Sequence, residues 1–340
     1  MNRIVWADAL KGILIVLVVL GHSLQAVMYK MGMSFTEDYL WNLIYSFHMP
    51  AFIAVSGYLA YGKNIVGGGS NSWFKTSVRR FRQLMIPYLL WSVALFFVNH
   101  NVEHYYECLL YPQKSLWFLW ALFFIVIIFN AVESFARRIK MKHEVSMGIS
   151  WLALVGLMFV MPDAKMFGVE YVAYYFFYYL MGYYLNKYSE KLIIKNGFVL
   201  AVVGLLWFGL GSIYSTQGLP HQLSFIPVIP SSILYYLYRV STALLAILFF
   251  FSLAMKIFGE NRGMTYWIVQ LGKVSLGIYA VHMVIRFRLV DGLTIAFPQL
   301  SYWPMMALTF CVLIPVSYGL VYLLGRWDVT ASLLLGKLKK

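Results

Sequence analysis

Long apolar segments, separated by short polar connections, dominate the chain. Ten of them are long enough to cross the bilayer, because a helix rising 1.5 Å per residue needs about 20 residues to span a hydrocarbon core of about 30 Å. We therefore expect ten transmembrane helices, at residues 4–26, 41–62, 84–100, 115–134, 145–161, 170–186, 196–214, 231–255, 274–290 and 302–325. Between the second and third spans, a glycine- and serine-rich stretch leads into residues 73–82, which have the pattern of an amphipathic interfacial helix.

Composition supports the same fold class. Of the 340 residues, 61% are hydrophobic and 12% are charged, with a mean hydropathy of +0.73, whereas a soluble chain is about a quarter charged. We expect an all-α polytopic membrane protein made of one transmembrane domain over residues 1–340, without a separate soluble domain. The first segment lacks a small-residue cleavage site and carries ionisable groups, so it is expected to be retained as a span.

The net charge of +14 is explained by topology. Basic residues cluster in every second connection, which places both termini in the cytoplasm by the positive-inside rule. Membrane lipids are then the expected surroundings, and no nucleic-acid partner is needed. The two cysteines, Cys108 and Cys311, lie far apart in the chain and suggest neither a disulfide framework nor a metal site.

The first span carries charge where lipid-facing helices carry none. At 100° per residue, Asp8, Lys11 and His22 lie on one helical face. Lys11 and His22 are about 16 Å apart along the axis, so the cation lies near one surface and the imidazole toward the other. Because charge inside the bilayer is costly unless it is paired or faces a cavity, this face is a candidate functional site.

Two further sets of polar residues lie within spans. His48 precedes Pro50 in the second span, at a depth similar to that of His22, and the proline is expected to kink that helix. The alternative is that each histidine is a packed residue with a local hydrogen bond. On the ninth span, one face carries polar residues that either bind substrate and an oxyanion or join helices as a polar seam: Ser275, Tyr279, His282 and Arg286.

The third span is preceded by a cluster of arginines, Arg79, Arg80 and Arg82. Guanidinium groups suit phosphate binding, although topology and contact with anionic lipids explain such a cluster equally simply. Trp117, in an aromatic stretch of the fourth span, is a candidate for stacking on a nucleotide or sugar ring or is a residue of the interfacial aromatic belt. His100, Glu103 and His104 match a short zinc-protease pattern that arises easily by chance, so no metal is expected.

Several motifs resemble those of membrane acyltransferase family 3, bacterial inner-membrane enzymes that acylate surface glycans. Lys11 and His22 match the family's first-span spacing of a basic residue, ten intervening residues and a histidine, although many relatives have arginine in place of Lys11. The other matches follow in chain order: Phe47-His48-Met49-Pro50 with Ser56-Gly57-Tyr58, Arg79-Arg80-Phe81-Arg82 with Pro87-Tyr88, Leu116-Trp117-Phe118-Leu119, and Ser275-Leu276-Gly277-Ile278-Tyr279 with His282.

The resemblance implies transfer of an acyl group, acetyl by default, from cytoplasmic acyl-CoA to a hydroxyl of a cell-surface glycan or lipid-linked sugar. His22 would be the general base or a transient acyl carrier, and His48 would assist it. Asp8 would pair with Lys11.

The remaining candidate residues would bind either the acyl donor or the substrate and the oxyanion of the transition state. Lys11, Arg79, Arg80, Arg82 and Trp117 would hold the acyl-CoA. Tyr279, His282 and Arg286 are the substrate or oxyanion candidates. The acceptor step is expected within the membrane domain, in the bacterial inner membrane. The rival interpretation is a transporter or flippase for a glycolipid or small polar solute that uses the same histidines as a proton relay.

Overall fold

In a computed structural model, residues 4–64, 72–98, 105–223, 230–259 and 266–337 are described. These residues form α-helices joined by short turns and 3₁₀ segments. The helices are α1 (Val5–Lys30), α2 (Tyr39–Tyr45), α3 (His48–Asn64), α4 (Ser72–Arg80), α5 (Ile86–Val98), α6 (Glu107–Leu110), α7 (Trp117–Arg138), α8 (His143–Val160), α9 (Val169–Lys187), α10 (Ser189–Leu192), α11 (Gly197–Ser212), α12 (Ser231–Phe258), α13 (Tyr266–Lys273), α14 (Ser275–Ala296), α15 (Tyr302–Leu324) and α16 (Asp328–Leu335).

The expected all-α fold is confirmed for the described residues, which contain no β-strand. Seven helical segments among them are long and apolar enough to cross a membrane, or eight when α13 and α14, bent by 74°, count as one span. The ten expected spans include two helices, α9 and α11, that are not among these seven or eight. α9 is rich in tyrosine, and α11 has 16 residues, or about 24 Å, which is short for a bilayer. The number ten and the N-in, C-in orientation stay predictions.

The chain divides into two compact units, and the single domain expected from the sequence also stays a prediction. The first unit comprises Met1–Phe52 and Tyr188–Tyr318, and the second comprises Ile53–Lys187 and Gly319–Lys340.

Helix α1 is the central element of the first unit and packs against α2, α12, α13 and α14. Its contact with α13 is a close backbone approach. A Cβ atom added to Gly272 would lie 1.7 Å from the carbonyl oxygen of Asp8, and one added to Gly12 would lie 1.9 Å from that of Ile268. Only glycine fits both positions, as at other close helix crossings in membranes.

Apolar side chains pack around the last turns of α1. Leu24 packs with Trp41, Ile44 and Met306, whereas Ala26 and Val27 form a separate cluster that is extended by Val290 and Met305, on α14 and α15. Leu24, Ala26 and Val27 lie within about one turn of α1 and contact different neighbouring residues. The polar face of α1 is therefore held in place by apolar contacts on its flanks.

In the second unit, α3 and α9 also approach each other closely through two glycines. A Cβ atom on Gly57 would lie 2.0 Å from the carbonyl oxygen of Tyr179, and one on Gly182 would lie 1.9 Å from that of Ala54. In the same unit, α4 continues through a π-helical turn, Phe81–Met85, directly into α5. Trp73–Val98 thus forms one 26-residue segment of spanning length. The separate interfacial helix expected at residues 73–82 is instead the first part of this segment.

We expect Gly272→Ala to destabilise the protein, because the added methyl group meets a backbone carbonyl that cannot rotate away. Overpacking of this kind costs about 1–3 kcal/mol, so the thermal midpoint of the detergent-solubilised protein should fall by several degrees. Gly292→Ala is the matched control on α14, where an added Cβ has no neighbour within 4 Å. It should leave the midpoint unchanged or slightly raised, since alanine favours a helix. Equal midpoints for the two variants would contradict the close packing of α1 on α13.

Candidate functional site

The polar face of α1 carries an ion pair near its beginning. Lys11 Nζ lies 2.7 Å from Asp8 Oδ1, and the two side chains are 24% and 8% exposed. The pairing expected from the sequence is confirmed. Since each charge is offset by the other, the cost of keeping both in an apolar region is reduced.

His22, fourteen residues after Asp8 on the same helix, is joined to α14 by a hydrogen bond. Its Nδ1 lies 2.8 Å from Nε2 of His282, and the two rings are stacked with centroids 5.0 Å apart. Nδ1 of His282 lies 2.8 Å from the carbonyl oxygen of Ile278, one turn earlier on α14. A continuous chain of hydrogen bonds therefore runs from His22 through His282 to the backbone.

The two rings differ in their access to the surroundings. His282 is completely buried, whereas His22 is partly exposed. Both nitrogens of His282 are engaged, and the second nitrogen of His22, Nε2, takes part in none of the hydrogen bonds found within the described residues. His22 is thus the ring of this pair with a nitrogen available for chemistry.

His48 lies at the break between α2 and α3. Pro50 has no N–H to donate to the carbonyl of Ser46, and the helix is interrupted at Ser46–Phe47. The helix is thus broken where the proline predicts it, and the kink itself stays a prediction. The His48 ring uses this break, because its Nδ1 donates to the carbonyl oxygen of Ile44 over 2.7 Å.

The sequence suggested that His22 and His48 meet. Within the described residues, the hydrogen-bond partner of His22 is His282, and His48 acts on His22 electrostatically. Tyr45 is next to both rings, with centroids 6.3 Å from His22 and 4.7 Å from His48. The two imidazoles therefore share a neighbourhood without sharing a hydrogen bond.

Arg286 brings a cation to the same region from α14. Its Nη1 donates to Oε1 of Gln25 over 3.3 Å, and its guanidinium lies 4.6 Å from the centre of the Phe287 ring. The buried Nε has no hydrogen-bond partner among the described residues, and no carboxylate there forms an ion pair with Arg286. A half-buried cation without a carboxylate attracts negative charge that develops nearby.

Tyr279 completes the polar face of α14. Its ring centre lies 5.8 Å from that of His282, and its side chain is buried. Tyr279, His282 and Arg286 all lie on the one uninterrupted helix α14, and the latter two contact α1. The shared face expected from their spacing is confirmed.

In the second unit, the three arginines differ in their surroundings. Arg79 and Arg82 are exposed, whereas Arg80 is half-buried. Nη1 of Arg80 donates to Oε1 of Gln83 over 3.2 Å, and its guanidinium interacts electrostatically with Tyr179. No ion pair between these arginines and a carboxylate is found in the described ranges. Their positive charge is available to an anionic ligand.

Trp117 begins helix α7 and packs against two tyrosines. Its ring stacks on Tyr171 with centroids 4.7 Å apart and lies 5.0 Å from Tyr175. The indole remains partly exposed. Its neighbours within the protein account for part of its surface, and the stacking role expected for it stays a prediction.

Cys108 does not resemble a covalent acyl carrier. Cys108 is completely buried, and burial raises the pKa of its thiol, which disfavours the reactive thiolate. Its backbone carbonyl accepts a hydrogen bond from the hydroxyl of Tyr88 over 2.5 Å. Cys311 lies on α15 with an exposed side chain.

The short zinc-protease pattern of His100, Glu103 and His104 lies outside the described residues. Across the parts of the chain that the structure describes, no group of three or more histidine, cysteine, aspartate or glutamate side chains is arranged to hold a metal ion.

Sequence reasoning missed three features of this site. His282 was considered as a contact for substrate, but its position as the partner of His22 was not foreseen. Gln25 and Tyr45 were not considered. Gln25 follows His22 by three residues and hence shares its helical face, which is the signal that would have identified it. Nothing in the local pattern distinguishes Tyr45 from other interfacial tyrosines.

We expect Lys11→Met to destabilise the protein, because it removes a cation that lies 2.7 Å from the buried carboxylate of Asp8. Removing one partner of a buried pair costs roughly 1–3 kcal/mol or more. The double variant Asp8→Asn, Lys11→Met should recover much of the lost thermal midpoint, because both charges are then gone. A double variant less stable than Lys11→Met would contradict this account of the pair.

Comparisons with known proteins find one matching family and two similar curated proteins. The model of a family described as "Acyltransferase domain" matches residues 4–324. The Nodulation protein NolL of Mesorhizobium japonicum is 32% identical over 151 residues, which are 40% of this chain and 38% of that protein. The Nodulation protein NolL of Sinorhizobium fredii is 40% identical over 131 residues, 35% of this chain and 34% of that protein. The chain thus covers well under half of each relative's length. No solved structure gives a significant match.

Proposed function

Because this chain belongs to the acyltransferase family whose domain matches residues 4–324, we propose that it is an integral-membrane O-acyltransferase that uses acyl-CoA. The acyl group is acetyl, and the acceptor is a hydroxyl of a cell-surface glycan or lipid-linked sugar. The protein works in the bacterial inner membrane with both termini in the cytoplasm, as the distribution of basic residues favours.

One observation carries the proposal: a partly exposed imidazole inside a membrane helix, with one nitrogen hydrogen-bonded and the other available. His22 meets this description, since Nδ1 contacts His282 and Nε2 is outside the hydrogen bonds of the described residues. A neutral imidazole with an available nitrogen is suited to take a proton from an alcohol near neutral pH.

The reaction balances with His22 as a general base. Nε2 takes the hydroxyl proton of the acceptor while the alcohol oxygen bonds to the thioester carbon. The tetrahedral intermediate then releases the CoA thiolate, which receives the same proton from Nε2. The products are an ester and free CoA, and His22 returns to its starting state. Should His22 instead carry the acyl group, a covalent acyl-histidine would accumulate with donor alone.

Arg286 is the proposed group that stabilises the oxyanion of the intermediate. Its guanidinium is held by Gln25, and its Nε has an unused proton among the described residues. Such a donor needs no reorganisation when negative charge develops. We assign Tyr279 and His48 supporting roles in binding the substrate, with His48 fixed by its bond to Ile44.

The phosphates of the donor are assigned to cationic side chains. Exposed Arg79 and Arg82, together with half-buried Arg80, present guanidinium groups suited to bidentate phosphate contacts. Lys11 is a further candidate, although Asp8 already engages its ammonium group. Trp117 is assigned a stacking contact with the adenine ring.

We expect His22→Ala to lower the turnover number for acyl transfer by roughly 10² to 10⁴, because that is the usual contribution of a positioned base. The assay follows transfer of label from acetyl-CoA in membranes containing the protein, and mass spectrometry of surface polysaccharide follows the product in cells. The control is His221→Ala, at an exposed histidine.

Near-native transfer by His22→Ala would remove the assignment of the base. Proton-coupled uptake of a solute into vesicles, without release of CoA, would indicate a carrier in place of an enzyme.

We expect the triple change of Arg79, Arg80 and Arg82 to glutamine to raise the KM for acetyl-CoA at least about tenfold, because each lost contact to a charged group costs about 1.5–3 kcal/mol. The turnover number at saturation should change little. The matched control removes three exposed cations from the same unit, at Arg138, Lys140 and Lys142. If both triple variants change the KM equally, the arginines act only through general surface charge.

A further inference from the structure

His282 is a fully buried titratable residue with no access of its own to a substrate. It nevertheless makes two directed hydrogen bonds, one to the backbone of its own helix and one to His22 on α1. Its two bonds define where the protons of both rings lie.

The protons can be placed from the donors and acceptors alone. The carbonyl oxygen of Ile278 can only accept, so Nδ1 of His282 carries a hydrogen. In a neutral ring, Nε2 of His282 then has a lone pair. Its neighbour 2.8 Å away, Nδ1 of His22, must be the donor. The remaining nitrogen of His22, Nε2, is left with its lone pair.

A doubly protonated His282 would satisfy the same distances, but its charge would be unsupported. The charged and titratable groups that face the two rings are Tyr45 from α2, His48 from α3, and Tyr279 and Arg286 from α14. Arg286 is already a cation, and no carboxylate contacts either ring in the described ranges. A second buried cation without a counter-ion is costly, so the neutral arrangement is favoured.

We propose that His282 is a positioning residue that fixes His22 in the tautomer with a hydrogen on Nδ1 and a lone pair on Nε2. This inference rests on the proposed function, since it concerns how His22 acts as the base. When Nε2 takes the alcohol proton, His22 becomes an imidazolium that still donates from Nδ1 to His282. His282 itself neither gains nor loses a proton, and the proton leaves with the CoA thiolate.

The test compares a variant that loses the acceptor with one that keeps it. His282→Leu has no lone pair for Nδ1 of His22, so the ring is free to rotate or to change tautomer, and the turnover number should fall at least about tenfold. The KM for acetyl-CoA should not change. His282→Gln has a side-chain oxygen that can accept the same hydrogen and should retain more activity than His282→Leu. Thermal midpoints measured in parallel identify any variant that does not fold.

Two outcomes would overturn the positioning role. One is a native turnover number in folded His282→Leu. The other is a rise in the KM of this variant for acetyl-CoA, of about the size expected for the fall in turnover number, without any loss of turnover. These outcomes can be told apart from failure of the proposed function, which is tested by His22→Ala. If His22→Ala is inactive and His282→Leu is fully active, only the positioning role is refuted.

A measurement on the unchanged protein avoids dependence on folding of the variants. In protein labelled with nitrogen-15 at histidine, the ring signals of His22 are assigned by their loss in His22→Gln. We expect the shift of a protonated Nδ1 and an unprotonated Nε2. The opposite pattern, with the hydrogen on Nε2, would refute the proposal whatever the variants show.

Discussion

A polar side chain inside a membrane helix must find its partner within the protein, because lipid offers none. For His22 that partner is His282, and α14 must lie close to α1 to supply it. Helix α13, which leads into α14 through a sharp bend, touches α1 backbone to backbone at Gly12 and Gly272. The two glycines thus permit the close approach of α1 and α13, next to the place where α14 brings His282 to His22.

Two cations of the first unit, Lys11 and Arg286, differ in their partners. Lys11 is neutralised by Asp8 three residues before it, a contact that any regular helix provides. Arg286 is held by the amide of Gln25, which leaves its charge uncompensated. A paired charge contributes to the structure, whereas a positioned but unpaired one keeps the capacity to act on a substrate. The paired charge therefore lies near the beginning of α1, and the unpaired one lies near the part of α1 that is proposed to be reactive.

The second unit shows how a helix can carry exposed cations on a membrane-spanning segment. Its arginines lie before and within a π-helical turn, in a helix that continues into α5. Such turns are frequent at functional sites, because one extra residue per turn changes the direction of the side chains that follow. Of the three arginines, Arg80 alone is half-buried, while Arg79 and Arg82 stay exposed.

From the sequence alone, the helical class, the polar faces of α1 and α14 and the Asp8–Lys11 pair were determined, because each depends on hydrophobicity or on spacing within one helix. The limits of α1, α7 and α15 lie within about four residues of those expected. Only the tertiary structure decided which histidine His22 meets. Its partner is 260 residues away, and both His48 and His282 lie within expected spans. Choosing between them requires the packing of α1 against α13 and α14, which arises from backbone contacts that no single segment contains.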